Sequence, residues 1–306
     1  MALVVINDDN WRDHVDPAVV NGEYKSKGLI PRNYDIHPPG CYKSAPPLTA
    51  LDFPLIPRSE WVERIEEMER TKSRLSDIRR IGNFGKPIPA LDQDGVGYCW
   101  NHSVTGAVIL SRAVMGLPYV RLSAFFIGCL IKNYRDEGGW GALALDFVTE
   151  KGVPDVKFWP EKSMQKSNDN AECRANALLH KVTEGFADLA SPQWSRNLSE
   201  DQAMTLLLCR FPVISDFNWW SHSVCAIDPI ITTKGKANRK GLMSTDFESL
   251  DLHNPKDLEV YGAAFGKKIL NSWTDQWGDM GEGNLEGTKA ILDGGCAPRM
   301  TLATAA

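Results

Sequence analysis

The sequence predicts an α+β fold in which a helical part precedes a part made of strands. Between about residues 99 and 152, apolar residues recur at the three- and four-residue spacing of helices. After residue 211 they fall in short runs rich in β-branched residues, as in strands. The chain of 306 residues, 43% hydrophobic and 24% charged, is long enough for one large domain or two lobes.

Charge and composition argue against several classes of protein. The formal net charge of −5 is spread over segments of mixed sign, so we expect no nucleic-acid partner. No segment approaches the roughly 20 apolar residues of a membrane span, and the N-terminus lacks the basic start of a secretory signal. The seven cysteines show no CxxC spacing, which argues against a disulfide scaffold and structural zinc. We expect no metal, cofactor or membrane association, and a location in the cytoplasm or within a particle or assembly.

The N-terminal region differs from the rest of the chain. Residues 1–56 are rich in Pro, Asp and Asn and lack helical or strand periodicity, which predicts an extended arm. Residues 57–87 are predicted to form an amphipathic helix and a linker. The helix begins at Ser59, and its apolar positions are Trp61, Ile65, Met68, Leu75 and Ile78. It packs on its own domain, docks on a partner, or covers an active-site groove.

The next elements are helices. One begins at Cys99, after a glycine-rich turn, and stops at Gly116. Ser123 is placed to cap a second helix, and Gly152 closes a third across residues 143–152. Ser199 is placed to cap a further helix that starts at residue 200.

Strands follow in the last third of the chain, over residues 212–217, 222–232, 263–273 and 281–289. Between them, residues 232–260 are polar enough to form a long surface excursion. This excursion is a candidate lid or partner surface, and the arm of residues 1–56 is a second candidate surface for protein partners.

Cys99 is the first candidate for chemistry. A cysteine attacks as the thiolate, and a helix N-terminus together with an imidazolium lowers the thiol pKa from about 8.5 to roughly 3–4. Cys99 stands at the start of a predicted helix, with Gly95 and Gly97 in the preceding turn. This position favours a nucleophile over a buried structural thiol.

The segment LDQDGVGYCWNHS, residues 91–103, resembles the nucleophile segment of the papain-like cysteine peptidase family (C1-type). Three later segments match in the family's order, EGGWGALALDF, WWSHSVCAIDPI and KKILNSWTDQWGDMGEG. The resemblance spans about residues 88–287. It implies a two-lobed papain-like domain over residues 88–306, with a helical lobe at about 99–200, an antiparallel β-barrel-like lobe at about 201–290, and the active-site groove between them.

The resemblance also implies the catalytic roles. His222 is the general acid and base opposite Cys99, Asn271 orients it, and Gln93 donates to the oxyanion beside the Cys99 N–H. The implied reaction is hydrolysis of a peptide bond in a peptide or protein substrate. Gly138 and Gly139 would line the groove.

Further residues are expected around this site. Trp100, Trp273 and Trp277 are expected to support it, and Trp220 to border the leaving-group side. Tyr98 stands where the family usually has a small residue, and we expect it to narrow the groove.

Two other functions remain open. A papain-like scaffold with an idle or vestigial site could serve as a structural or binding component of a larger assembly, for example a virus particle. Acyl transfer to an amine instead of water would use the same thioester. Residues 1–87 occupy the place of an inhibitory propeptide but do not match the family's helical pro-segment pattern.

Overall fold

A computed structural model of the chain describes residues 2–15, 18–20, 22–45, 54–82 and 85–299. The prediction for the arm at residues 1, 16–17, 21 and 46–53, and for the linker at residues 83–84, lies outside this part of the chain. The α-helices in the described part are α1 (Trp61–Thr71), α2 (Leu75–Ile81), α3 (Cys99–Val114), α4 (Ala124–Ile131), α5 (Gly141–Lys151), α6 (Ala171–Leu178), α7 (Pro192–Leu208), α8 (Thr233–Ala237), α9 (Arg239–Ser244) and α10 (Pro255–Ala264).

The strands form one large sheet and one small hairpin. They are β1 (Val4–Ile6), β2 (Ala18–Val20), β3 (Glu23–Lys25), β4 (Phe186–Asp188), β5 (Val213–Phe217), β6 (His222–Ile231), β7 (Phe265–Leu270), β8 (Glu282–Leu285) and β9 (Gly294–Pro298). The large sheet has the order β1-β8-β7-β6-β5-β9-β4 and is antiparallel except for the parallel β1–β8 pair. β2 and β3 form the hairpin.

Helix α3 is the centre of the helical lobe. Fourteen of its 16 residues are buried, so the helix is enclosed on all sides and not only along the stripe that includes Val104 and Val108. Helices α2, α4 and α5 and strands β5 and β6 pack around it. The hydroxyls of Ser103 and Ser223 lie 2.9 Å apart, so the first turn of α3 lies beside the start of β6.

The prediction of a single helix from Ser59 is wrong, because the segment forms two helices, α1 and α2. Lys72 has φ 55°, a left-handed conformation that ends α1, and its N–H donates to the Met68 carbonyl. The carboxylate of Asp77 then accepts from the backbone N–H of Arg74 and starts α2. The break lets α2 turn toward the sheet, where Arg79 forms a fully buried ion pair with Glu282 at 2.8 Å.

Two predicted helix caps differ from the structure. Ser199 lies inside α7, which already begins at Pro192, because Pro is well suited to the first turn of a helix. Ser195 has non-helical dihedral angles and kinks this helix. Ser123 does precede α4, but its side chain makes no capping hydrogen bond.

The polar excursion at residues 232–260 is a set of short helices. Phe247 and Leu252 from this region pack with Trp61 of α1 and Tyr261 of α10 in one apolar cluster. The excursion leaves the sheet at the end of β6, whereas His222 begins that ten-residue strand. At about 3.3 Å per residue the two ends lie roughly 30 Å apart. The excursion is therefore not a lid over His222.

Two contacts fix the two ends of the N-terminal arm on the body. β1 forms the edge of the large sheet by pairing with β8. Farther along, the guanidinium of Arg32 makes a buried bidentate ion pair with Asp188 of β4, at 2.6 and 2.9 Å. Residues 7–31 thus span the molecule between two fixed points.

No helix in the described part of the chain is both long and apolar enough to cross a lipid bilayer.

Candidate active site

Cys99 is the first residue of α3 and lies at the boundary between the lobes. The turn before it is compact because Gly97 has no side chain, and a Cβ there would lie 3.0 Å from the Lys27 carbonyl oxygen. The Gly97 N–H is held by the Asp136 carboxylate at 2.8 Å. The first N–H groups of a helix have no partner within the helix, so this turn directs them and the thiol toward the groove.

His222 begins β6, and Asn271 directly follows the neighbouring strand β7. The Nε2 atom of His222 lies 2.8 Å from the Asn271 Oδ1 atom, which also accepts the Ser272 N–H at 2.8 Å. Asn271 Oδ1 is an acceptor, so Nε2 of the neutral ring carries the proton. The other ring nitrogen, Nδ1, has no hydrogen-bond partner within the described residues and is free to exchange a proton.

Tryptophans enclose the His222–Asn271 pair. Trp273 stacks on the imidazole with ring centroids 4.7 Å apart, and Trp220 meets it edge-on at 4.9 Å. Trp277 lies 6.0 Å from Trp273. These rings exclude water from the hydrogen bond and keep the imidazole in one orientation.

Gln93 is oriented by a residue that the sequence reasoning did not identify. The Ser272 hydroxyl donates to the Gln93 Oε1 atom at 2.6 Å, and the Gln93 backbone N–H donates to the Ser272 carbonyl at 3.0 Å. This fixes which end of the side-chain amide faces the groove. The sequence offered a signal for this role, because Ser272 directly follows Asn271, which was predicted to orient His222.

Residues 26–30 of the arm, here called the strap, run through the groove. The Gln93 Nε2 atom donates to the Ser26 carbonyl at 2.7 Å. The Leu29 N–H donates to the Ser221 carbonyl at 3.2 Å, next to His222. The strap therefore occupies hydrogen-bonding positions on both sides of the cleft.

Gly138 and Gly139 hold the strap from the helical lobe. The Gly139 N–H donates to the Gly28 carbonyl at 3.0 Å, and the Ile30 N–H donates to the Gly139 carbonyl at 2.9 Å. A Cβ on Gly138 would lie 2.5 Å from the Gly28 carbonyl oxygen, so only glycine permits this approach. A Cβ on Gly139 would meet the ring of Trp100 at 2.7 Å, which places Trp100 directly beneath the groove wall.

A second part of the arm covers the His222 side. The Trp220 Nε1 atom donates to the His14 carbonyl at 2.8 Å, and the Lys27 ammonium donates to the same carbonyl at 3.1 Å. Trp11 packs edge-on against Trp219 with ring centroids 6.0 Å apart. Trp220 is consequently buried beneath the arm in this form, and does not line an open surface.

Cys99 and His222 are both neutral while the groove is closed. Burial raises the pKa of the Cys99 thiol to about 12, although backbone hydrogen bonds from Ser223 and Gly28 oppose this. Burial lowers the pKa of His222 to about 3, although its hydrogen bond to Asn271 opposes this. The lowered thiol pKa expected from the sequence is therefore absent while the strap is in place, because desolvation outweighs the helix N-terminus.

Tyr98 does not narrow the groove. Its ring packs inside the helical lobe against Phe125 and Trp100, and its hydroxyl donates to the Arg135 carbonyl at 2.8 Å. A Cβ on Gly128 would lie 2.6 Å from this ring, so the space for a large residue is provided by that glycine. The sequence could not show this pairing, because Tyr98 precedes α3 whereas Gly128 lies in α4.

His102 is a packing residue. Its Nδ1 atom lies 2.7 Å from the Tyr98 carbonyl oxygen, and its ring meets Phe125 edge-on at 5.4 Å. Burial lowers its pKa to about 4. The imidazole is directed into the lobe rather than toward the groove.

One group of three carboxylates in the described part of the chain, Glu23, Asp92 and Asp94, has a spacing that would suit a metal ion. Lys25 already pairs with Glu23 and Asp92 at 2.9 and 2.8 Å, and Lys162 pairs with Asp92 at 2.7 Å. These two ammonium groups offset most of the charge of the three carboxylates and join the arm to the turn before Cys99.

Comparison with known proteins places this geometry in a fold family. No family model matches the chain. Human cathepsin O is 28% identical over 192 residues, which are 61% of this chain and 54% of cathepsin O. The chain thus spans about half the length of this relative. The sequence similarity supports peptidase function in general terms.

Solved structures agree on the fold. Xylellain, a cysteine protease from Xylella fastidiosa, superimposes with a TM-score of 0.52 at 16% identity, over 93% of this chain and all of xylellain. A recombinant stem bromelain precursor gives a TM-score of 0.50 at 15% identity, over 85% of this chain and 76% of its own. The chain has the two-lobed α+β fold of papain-like C1 cysteine proteases, and the resemblance predicted from the sequence is confirmed.

Proposed function

We propose that this chain, which has the papain-like fold, is a cysteine peptidase held latent by its own strap. The hydrogen bond from the Gln93 side-chain amide to the Ser26 carbonyl carries the proposal, because it places a peptide carbonyl where an oxyanion would form. The 2.8 Å contact between His222 and Asn271 supports it.

The catalytic cycle begins when the strap leaves the groove. Water then reaches Cys99 and His222, the desolvation penalty on both falls, and the proton moves from the thiol to Nδ1 of His222. The thiolate attacks the substrate carbonyl carbon, and the electron pair of the C=O bond moves to oxygen. The Gln93 amide and the Cys99 N–H stabilise that oxyanion.

Collapse of the tetrahedral intermediate releases the amine. The imidazolium of His222 gives its proton to the leaving nitrogen as the C–N bond breaks, which leaves a thioester on Cys99. His222 then takes a proton from water, whose oxygen attacks the thioester carbon. The acid departs, and the thiolate–imidazolium pair is restored.

A labelling experiment tests this proposal. An epoxide inhibitor of papain-like peptidases is added to the wild type and to Gly28→Ala, in which the new Cβ would lie 1.8 Å from the Gly97 carbonyl oxygen and exclude the strap. We expect slow labelling of the wild type and fast labelling of the variant, with one adduct per chain that disappears when Cys99→Ala is added. Peptide cleavage is measured on the same samples.

Two controls make the result decisive. Leu29→Glu expels the strap because it places a charge in an apolar cluster, without a clash against Gly97. If Gly28→Ala is inactive while Leu29→Glu is active, the clash has damaged the Gly97 turn. Ser26→Ala keeps the backbone carbonyl and should behave as the wild type. If both strap variants are folded and open, yet neither is labelled nor cleaves peptides, the proposal is wrong.

That negative outcome would support the alternative of a papain-like scaffold with an unused site.

A further inference from the structure

Two serine hydroxyls meet between α3 and β6, next to Cys99 and His222. Ser223 directly follows His222 on β6. Ser103 lies on α3, one turn after Cys99. The Oγ atoms of the two serines are 2.9 Å apart, and both side chains are buried. The Ser103 hydroxyl also lies 3.1 Å from the Trp100 carbonyl oxygen. The proposed mechanism uses neither hydroxyl.

The carboxylate of Asp216 extends this contact to a third part of the groove. Asp216 is buried and lies on β5 directly opposite Ser223. Burial raises its pKa from 3.8 to about 6, and a hydrogen bond from the Ser223 side chain opposes this rise. The Oδ2 atom of Asp216 accepts the Gly141 N–H at 3.2 Å, at the start of α5. Asp216, Ser223 and Ser103 therefore connect α3, β6 and the segment that leads from Gly139 into α5.

This chain of hydrogen bonds is complete in both ionisation states of Asp216. An ionised carboxylate only accepts, so Ser103 then donates to Ser223, and Ser223 donates to Asp216. With a protonated carboxyl the direction reverses, and the Ser103 hydroxyl donates to the Trp100 carbonyl. Each hydroxyl therefore has a partner inside the protein in either state. Removing either serine hydroxyl leaves a buried polar group without its partner, which favours a shift of β6 against α3.

The position of β6 relative to α3 affects the acidity of Cys99. Burial raises the pKa of the Cys99 thiol, and the backbone N–H of Ser223 opposes this rise by donating to the sulfur. His222, one residue earlier on β6, supplies the imidazole. Both interactions with the sulfur weaken as the distance grows, because hydrogen bonding and proton transfer need close contact.

We propose that Ser223 is a positioning residue, whose hydroxyl holds the start of β6 against α3 through Ser103 and so keeps the His222 imidazole close to Cys99. The same contact keeps the Ser223 N–H on the sulfur. This inference rests on the proposed peptidase function, in which the thiolate must form beside His222. The two serine hydroxyls should therefore act as one unit.

The test measures the acidity of Cys99 in the full-length chain, with Gly28→Ala to open the groove. Alkylation of Cys99 by iodoacetamide is followed by peptide mass mapping as the pH is varied. We expect the midpoint of this titration to move up by about one pH unit in Ser223→Ala and in Ser103→Ala, a tenfold loss of acidity. The double variant should show no further shift, because one missing hydroxyl already breaks the connection.

Peptide cleavage by the same variants gives a second measurement. We expect kcat to fall by about tenfold in each, because His222 is less well placed to protonate the leaving amine, with KM changed by less than about twofold. Ser103→Thr, which restores a hydroxyl at this position, should return both the titration midpoint and kcat to the values of the Gly28→Ala parent.

Ser215→Ala is the matched control. Ser215 is a fully buried serine on β5, but its hydroxyl donates to the Val213 carbonyl of its own strand at 3.2 Å. It faces the opposite side of the sheet from its neighbour Asp216. Its substitution should leave the titration midpoint and kcat unchanged.

Two results would overturn the positioning proposal alone. One is an unchanged midpoint in folded Ser103→Ala and Ser223→Ala, and the other is a pair of shifts that simply add in the double variant. If Cys99 titrates as expected but the open, folded Gly28→Ala parent cleaves no peptide, the result counts instead against the peptidase function.

Discussion

The side-chain amide of Gln93 donates to the carbonyl oxygen of Ser26 at 2.7 Å, so the chain's own backbone occupies the donor that we propose binds the oxyanion. This contact links the arm directly to the residue that we propose stabilises the oxyanion. In the proposed mechanism, Gln93 stabilises the latent form by one neutral hydrogen bond and the reacting form by a charged one. Since hydrogen bonds to charged groups are stronger, we expect Gln93 to favour the transition state over the strap.

Removal of the Gln93 amide should therefore lower kcat strongly while substrate binding, measured by KM, changes little. In the Gly28→Ala background, Gln93→Ala is expected to reduce kcat by about 10²–10³-fold with little change in KM. Ser272→Ala, which removes only the 2.6 Å hydrogen bond that orients Gln93, should give a smaller loss of about tenfold. Steady-state kinetics with one peptide substrate measure kcat and KM for both variants. Equal losses in kcat for the two variants would contradict this division of roles.

The orientation of His222 depends on Asn271. Asn271→Ala in the same background leaves the Nε2 proton without its acceptor and frees the ring to rotate, so we expect kcat to fall by at least about tenfold. The matched control is Asn284→Ala, on β8, which should leave kcat unchanged. An Asn271→Ala enzyme with unaltered kcat would show that the rings of Trp220 and Trp273 alone hold the imidazole.

Thiol reactivity should report the position of the strap. In the wild type, the raised pKa of Cys99 predicts negligible alkylation by iodoacetamide at pH 6–8, while the exposed Cys41 and Cys209 react and serve as internal references. Opening the groove by Gly28→Ala lowers the Cys99 pKa and raises that of His222. Cys99 should then react faster than the two references at pH 6, as followed by peptide mass mapping. Equal protection of Cys99 in both proteins would refute control by the strap.

Asp228 should make the wild type less stable as the pH rises. Burial raises its pKa from 3.8 to about 6, so folding favours the protonated carboxyl; its contribution is fully present below about pH 4 and is lost as the pH passes 6. The shift corresponds to roughly 3 kcal/mol at pH 7.5. In urea unfolding, the free energy of the wild type relative to Asp228→Asn should fall by about this amount between pH 4 and 7.5. A difference that does not change with pH would exclude this titration.

Tyr98 provides a test of the corrected assignment. Tyr98→Phe removes the hydrogen bond to the Arg135 carbonyl and should cost about 1 kcal/mol of unfolding free energy. Because the ring lies inside the helical lobe, the substrate preferences of the opened enzyme should remain unchanged. A changed cleavage profile would instead place Tyr98 at the groove.

Local sequence patterns determined the positions of several helices and strands and the family resemblance. The start of α3 at Cys99 follows from a glycine-rich turn before an apolar helix, and the short β-branched runs predict β5 and β6 because strand formation depends on nearby residues. The order of four motif segments determined the family resemblance. These features depend on residues close together in the chain, which a sequence displays directly.

Only the tertiary structure decided which residues from distant segments of the chain come into contact. The strap lies in the groove because Gly28 can approach Gly97 closely, and those residues are far apart in the chain. Tyr98 turns inward because Gly128 leaves room for it. The Asp216 carboxylate of β5 accepts the Gly141 N–H at the start of α5, 75 residues earlier in the chain. Each of these outcomes depends on packing between distant segments, where sterics and burial outweigh local preference, and no pattern within a single segment carries that information.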